Sequence, residues 1–138
     1  MNNYSKKNIY VPFLVFTMCM FILFAGTSCT QESEIRSVAK NYLKALVDYR
    51  LDDAKKYGDD SAIQFLEGQQ MIIDTWTPGQ REEARKNLEN IEVKITGVDI
   101  KDTKATVKYE FIKKGKILQS ENLYLVKNST GWKVYESM

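Results

Sequence analysis

The sequence predicts an α+β fold, in which N-terminal helices pack on one face of a curved antiparallel sheet of four strands. Two observations lead to this prediction. Apolar residues recur at helical spacing from Glu34 onward, and after Asn90 the apolar period changes to two. Helices followed by a run of strands are typical of α+β domains rather than of alternating strand–helix units.

The first predicted helix runs from about Glu34 to Tyr49, because several apolar residues share one face of it. They are Ile35, Val38, Ala39, Tyr42, Leu46 and Tyr49. A short helix over residues 51–57 is predicted to end at Gly58. The third helix is predicted over residues 60–76, with Asp59 or Asp60 as its N-cap. Its expected apolar side contains Ala62, Phe65, Leu66, Gln69, Ile72, Ile73 and Trp76.

The fourth helix is predicted to begin at a capping box. Thr77 has the side chain of an N-cap, Pro78 suits the first helical position, and Gln80 stands three residues after the cap. The helix that follows has only a thin apolar stripe, so we expect it to be mostly solvated. Glu82 and Lys86 have the spacing of a favourable ion pair on its surface.

Four strands are predicted after this helix, joined by short turns at Gly115 and at residues 128–131. They span residues 91–100, 104–112, 116–126 and 132–137. The second strand shows the clearest alternation, with Ala105, Val107, Tyr109 and Phe111 on one face. This face is expected to pack on the helices.

The composition excludes several classes of function. Outside the first 28 residues the chain has 18 basic and 18 acidic residues, a balance that argues against nucleic acid as a partner. The sequence contains no histidine, so histidine acid–base catalysis and histidine metal ligation are excluded. Of the two cysteines, Cys19 lies in an apolar N-terminal run and Cys29 directly follows that run, so no disulfide is expected within the domain.

The N-terminus is typical of a secretory signal, because basic residues precede an apolar run without charges. The run ends in Gly26-Thr27-Ser28-Cys29, which resembles the lipobox of bacterial lipoproteins. In that family the cysteine receives a diacylglyceryl group, the signal is cut before it, and the new amine is acylated. The resemblance implies a signal peptide over residues 1–28, lipidation of Cys29, a short polar tether over residues 29–33 and a domain over residues 34–138.

An uncleaved membrane anchor is the alternative interpretation, because the uncharged run is long enough to span a bilayer as a helix. The small residues and Cys29 at its end argue against this alternative, since a basic stop-transfer cluster is missing there. Gly26 replaces the usual aliphatic residue, as in the relaxed lipobox of some Gram-negative groups. Thr30, where an aspartate would resemble an inner-membrane retention signal, favours the outer membrane. The expected partner is therefore the lipid bilayer, bound through acylated Cys29.

Residues 34–136 also resemble the nuclear transport factor 2-like superfamily, whose cone-shaped fold is shared with ketosteroid isomerase and cystatin-like domains. More narrowly, they are similar to a family of small lipoproteins of unassigned function with that fold. The resemblance lies in residues 42–46 (YLKAL), 52–57 (DDAKKY), 104–107 (KATV), 123–127 (LYLVK) and 131–134 (GWKV). These are residues of the fold and not a catalytic signature. Members of the superfamily range from enzymes to binding and accessory domains, and the cone can hold a pocket.

Carboxylates remain as candidates for chemistry in the cone. Asp48 lies off the apolar face of the first helix, and Glu110 points away from the apolar face of its strand, so both are expected to be solvated. The stretch DDAKKYGDD, residues 52–60, lacks the pattern of a calcium loop. We therefore expect neither a metal site nor a cofactor.

Aromatic residues are the candidates for lining or filling the cone, chiefly Tyr42, Trp76, Tyr109 and Trp132. Three classes of function stay open. The favoured class is a non-enzymatic envelope module that binds a small apolar ligand or an envelope protein. The second is an enzyme that uses a carboxylate and a tyrosine in the cone, and the third is an accessory lipoprotein without a pocket.

Overall fold

A computed structural model describes residues 10–136, with side chains from Cys29 to Glu136. The described part contains α1 (Tyr10–Val47), α2 (Leu51–Lys55), α3 (Asp60–Asp74), α4 (Pro78–Leu88), β1 (Ile91–Lys101), β2 (Lys104–Lys113), β3 (Lys116–Asn128) and β4 (Gly131–Val134). The chain divides into two compact units between Gln31 and Glu32. The basic start of the predicted signal and the side chains of its apolar run lie outside the described residues.

Helix α1 begins at Tyr10, well before the predicted start at Glu34, and it ends at Val47. Residues 29–33, predicted as a polar tether, are therefore helical. From Thr27 to Val47 the chain contains neither glycine nor proline, so no helix-breaking residue stands at the predicted start. On the domain side of this helix the buried residues are Ile35, Ala39, Tyr42, Leu43 and Ala45.

Side chains cap α3 and α4 at their N-termini, as predicted. The carboxylate of Asp59 accepts a hydrogen bond from the backbone N–H of Ala62 at 3.0 Å. Thr77 Oγ1 accepts one from the N–H of Gln80 at 3.3 Å, and Gln80 Oε1 accepts one from the N–H of Thr77 at 2.8 Å. The capping box predicted for α4 is confirmed.

The buried face of α3 is narrower than the sequence suggests. Ala62 and Leu66 are buried, but Phe65 and Ile72 are exposed, which corrects the predicted apolar side. At 100° per residue, Phe65 and Ile72 lie roughly 80° and 100° from the centre of the stripe that contains Ala62 and Leu66. The packing partners of α3 cover only that central stripe.

The sheet has the predicted topology, with four antiparallel strands in the order β1-β2-β3-β4. Ala105, Val107 and Tyr109 on β2 are buried, as their alternation predicted. The register shifts at a bulge between Ile95 and Gly97, a feature that the simple alternation of β1 did not predict. The α+β prediction is confirmed.

The edge strand β4 is held in place by the segment that joins α2 to α3. The N–H of Asp59 donates to the carbonyl of Val134, and the N–H of Val134 donates to the carbonyl of Tyr57, both at 2.8 Å. This segment pairs with an edge that would otherwise leave backbone groups unpaired. Trp132 and Val134 are buried, so the shared face predicted for them is the core face.

Candidate functional site

The structure separates the four aromatic residues that the sequence analysis singled out. Tyr42, Tyr109 and Trp132 belong to the buried core, with exposed fractions of 1%, 7% and 2%. Trp76 is half-buried and lines a surface cleft instead. Three of the four side chains therefore fill the interior of the domain, and one is available to a ligand.

Two of the core tyrosines lie close to carboxylates. Tyr109 Oη donates to Glu121 Oε2 at 3.4 Å, and burial, followed by the charge of Glu121, raises the pKa of Tyr109 to about 12. The hydroxyl of Tyr42 is buried and lies near the carboxylate of Glu136. Burial, followed by the carboxylate of Glu136, raises the pKa of Tyr42 well above its ordinary value. Both phenols are therefore protonated at neutral pH.

These shifts predict an alkaline limit to stability. The unfolded chain has an ordinary tyrosine pKa of about 10, so a raised folded pKa favours the folded state below that pH. The stabilisation from Tyr109 is complete below about pH 10 and is lost as pH rises through its folded pKa of about 12. We expect unfolding in this window, followed by circular dichroism, to coincide with late tyrosinate absorbance. Tyr109→Phe should weaken that dependence, and an unchanged alkaline transition in this variant would contradict the argument.

The cleft that contains Trp76 has a volume of about 380 Å³. It is lined by Tyr49, Ile73, Trp76, Pro78, Arg81, Glu82 and Arg85. Three segments meet there: the turn after α1, the end of α3, and the first turns of α4. The rings of Tyr49 and Trp76 meet edge to face, with 6.4 Å between their centroids. The volume lies within the range of small-molecule sites.

Tyr49 reaches the cleft through an uncommon backbone conformation. Its φ is 55°, in the left-handed region that tyrosine rarely adopts. The N–H of Tyr49 donates to Leu46 O at 3.1 Å, and the N–H of Arg50 donates to Ala45 O at 2.8 Å. This pair of bonds is a Schellman motif, in which glycine usually occupies the left-handed position. An aromatic residue there costs ~1 kcal/mol or more, and it closes one side of the cleft.

Two guanidinium groups stand on the rim of the cleft, one helical turn apart on α4. Arg81 Nη2 donates to the carbonyl of Asp74 at 3.2 Å, and Arg85 Nη1 lies 3.9 Å from Glu82 Oε2. Glu82 thus pairs with Arg85, where the sequence analysis predicted Lys86. Two arginines face one carboxylate, so the rim is positively charged. Arginine binds carboxylates, phosphates and sulfonates well, because its planar group donates two parallel hydrogen bonds.

A second groove of about 650 Å³ adjoins the rim and shares Glu82 and Arg85 with the cleft. The rest of its charged lining is mixed, since Lys44 and Lys86 stand beside Asp48 and Glu89. This groove therefore favours neither sign of charge. The first cleft, by contrast, combines an apolar wall with a positive rim.

Two classes of feature are absent from the part of the chain with described side chains. No three histidine, cysteine, aspartate or glutamate side chains there lie close enough to hold a metal ion. No helix there is long and apolar enough to cross a membrane. Cys29 is exposed and carries a free thiol.

Comparison with known proteins gives one informative result. No family model matches the chain, and no curated protein sequence matches it. Among solved structures, the chain resembles a Campylobacter jejuni protein provisionally named an NTF2-like transpeptidase, determined at 2.00 Å resolution. The two chains are 23% identical with a TM-score of 0.53, and the match covers 74% of this chain and 97% of the other.

The domain has the nuclear transport factor 2-like fold.

Sequence reasoning found only part of the cleft of this nuclear transport factor 2-like domain. It included Trp76 and Tyr49 among the aromatic residues that could line or fill the cone, but it did not consider Arg81 or Arg85 for a site. Two arginines four residues apart after an aromatic residue and a capping box were a usable signal, because that spacing puts both on one face of α4.

Proposed function

We propose that this protein is a lipid-anchored lipoprotein of the bacterial envelope, most consistent with the outer membrane. Its nuclear transport factor 2-like domain acts as a non-enzymatic binding module. The anchor is the acylated Cys29, and the binding site is the cleft formed by Tyr49, Trp76, Arg81 and Arg85. The ligand is a small amphipathic anion, or an apolar segment with an anionic group on an envelope protein.

The main support for this proposal is that the cleft has both an apolar wall and a positively charged rim. The core of the domain, in contrast, is filled by side chains. In the described part of the domain, side chains such as Tyr42 and Trp132 fill the interior, whereas the cleft lies at the surface. In the cleft, an apolar group contacts the edge-to-face pair of Tyr49 and Trp76 while an anion meets Arg81 and Arg85. The strained φ of Tyr49 supports this assignment, because backbone strain clusters at binding sites.

The arrangement favours binding over catalysis by a carboxylate and a tyrosine. Pairs of this kind exist at Tyr109–Glu121 and at Tyr42–Glu136, but both phenols are buried and their raised pKa opposes the phenolate form. The name of the Campylobacter jejuni protein raises acyl transfer as another activity. Acyl transfer commonly uses a serine or cysteine activated by a neighbouring base, often histidine, and this sequence has no histidine.

Fluorescent probes test the cleft. Anilinonaphthalene sulfonate carries an apolar ring system and an anion, whereas N-phenylnaphthylamine has similar rings without the charge. We expect the sulfonate to bind residues 29–138 more tightly than the uncharged probe. The double variant Arg81→Gln, Arg85→Gln should weaken sulfonate binding about tenfold, because two solvent-exposed charge contacts of up to ~1 kcal/mol each are lost. Binding of the uncharged probe should hardly change.

Tyr49→Asn provides a second variant, and Lys101→Gln, Lys104→Gln provides a matched control. Asparagine tolerates the left-handed conformation, so Tyr49→Asn should weaken both probes without lowering the free energy of unfolding. The control removes two positive charges at the β1–β2 turn, and sulfonate binding should persist. Equal binding by wild type and the arginine variant, or an equal loss in the control, would contradict the proposal.

A further inference from the structure

The hairpin between β2 and β3 ends in a basic and apolar tip, residues 113–118, none of which lines the cleft. Its sequence is Lys-Lys-Gly-Lys-Ile-Leu, and its last two side chains are largely exposed. Ile117 and Leu118 have exposed fractions of 59% and 55%. Exposed aliphatic residues next to lysines are typical of surfaces that bind the interface of an anionic membrane.

The backbone of the tip accounts for this exposure. Lys114 and Gly115 both have positive φ, 52° and 75°, so they form a two-residue turn of the type that tightly joins antiparallel strands. Phe111 pairs with Gln119 while Ile112 pairs with Ile117, which leaves Leu118 as the unpaired residue of a bulge. A bulge breaks strand alternation, so two successive apolar side chains are presented at the tip.

The lysines of the tip lower the stability of the hairpin through their positions in it. Lys113 and Lys116 are directly opposite each other in the register, and like charges in that arrangement repel. Lys114 adopts a left-handed conformation that glycine or asparagine would adopt more easily. Lys113 forms hydrogen bonds within the domain. Its Nζ donates to the carbonyls of Lys86 and Asn87 at the end of α4, at 3.3 and 2.8 Å. Lys114 and Lys116 are exposed and form no ion pair within the described part of the chain.

We propose that the hairpin tip binds the surface of an anionic phospholipid bilayer. Lys114 and Lys116 contact the lipid phosphates, and Ile117 and Leu118 enter the boundary between headgroups and acyl chains. Charge complementarity identifies the occupant, because the tip joins two unpaired ammonium groups to two exposed aliphatic side chains. This contact is independent of lipidation at Cys29 and of ligand binding in the cleft, and it would orient the domain on the membrane.

Vesicle binding tests the proposal with residues 29–138. This fragment contains all the core residues that are buried in the described part of the chain, from Ile35 to Val134, and it lacks the apolar N-terminal run. Cosedimentation is measured with vesicles of phosphatidylcholine alone and of phosphatidylcholine mixed with phosphatidylglycerol. We expect partition onto the mixed vesicles at physiological salt and little onto the neutral ones. Lys114→Gln, Lys116→Gln should weaken partition about 30-fold, at ~1 kcal/mol for each lysine near the surface.

Two further variants distinguish a specific tip from general charge. Ile117→Ser, Leu118→Ser should weaken partition about tenfold or more, because the aliphatic contact is lost while the charge is kept. Lys101→Gln, Lys104→Gln at the opposite hairpin should leave partition unchanged. Far-ultraviolet circular dichroism checks that each variant is folded. No partition by wild type, or an equal loss in the variant at Lys101 and Lys104, would overturn the proposal, whereas the cleft and Cys29 are tested by other measurements.

Discussion

Replacing Trp132 by alanine should lower the free energy of unfolding by about 3–5 kcal/mol, because a large buried side chain is removed from the centre of the core. Trp132 has an exposed fraction of 2% and belongs to the same core cluster as Tyr42, Val107 and Leu125. A loss of this size is a large share of the stability of a small domain, typically about 5–15 kcal/mol. The measurement is the midpoint and slope of unfolding in guanidinium chloride.

Local contacts around Trp132 connect β4 to α1 and hold the indole ring in place. Its N–H donates to Glu34 Oε1 at 3.4 Å and so joins β4 to α1. Gly131 precedes it with φ of 116°, a backbone conformation in which any other residue would be strained. Lys127 Nζ lies 5.9 Å from the centroid of the indole ring, within the range of a cation–π contact.

Two matched variants separate loss of packing from other effects. Trp76→Ala removes the other tryptophan, which is half-buried in the cleft, and should cost less than about 2 kcal/mol. Trp132→Phe should cost less than Trp132→Ala, because it keeps an aromatic ring and removes an indole N–H that has no partner among the described residues. An unfolding midpoint that barely moves in Trp132→Ala would contradict the filled core and favour an internal ligand pocket.

Cys29→Ala should abolish incorporation of labelled palmitate and leave the precursor uncut. The proposed lipidation forms a thioether on the cysteine sulfur, so alanine offers no atom for the diacylglyceryl group. Stable anchoring needs more than one acyl chain, at ~0.8 kcal/mol for each buried methylene. The expected result is a complete loss of label in the full-length chain expressed in a Gram-negative host, read by autoradiography of the precipitated protein.

Cys19 provides the control for this experiment, because it lies in the apolar run and should be removed with the signal. Cys19→Ala should therefore incorporate the same amount of labelled palmitate as wild type, and its signal should be cut normally. Equal labelling of Cys29→Ala and wild type would reject the lipobox interpretation. A retained helical anchor would instead predict that wild type and Cys29→Ala have the same full precursor length and that neither incorporates label.

Local rules in the sequence determined the elements of the domain. The capping box of Thr77 and Gln80 is a contact between residues three positions apart, so it could be identified without tertiary information. The alternation in β2 likewise follows from strand geometry, in which successive side chains point to opposite faces. The change of apolar period after Asn90 and the short turns between the strands then predicted the α+β class and the strand order.

The tertiary structure decided which apolar surfaces are covered and where a ligand can bind. Phe65 and Ile72 have the same periodicity as buried Leu66, yet they are exposed because the partners of α3 cover only a narrow stripe. The cleft depends on Tyr49, Trp76 and Arg85, which come from three segments. Sequence periodicity describes one element at a time, whereas a cleft depends on how the ends of several elements meet. The local pattern thus predicted the fold, because it acts within single elements, whereas packing between elements decided the candidate site.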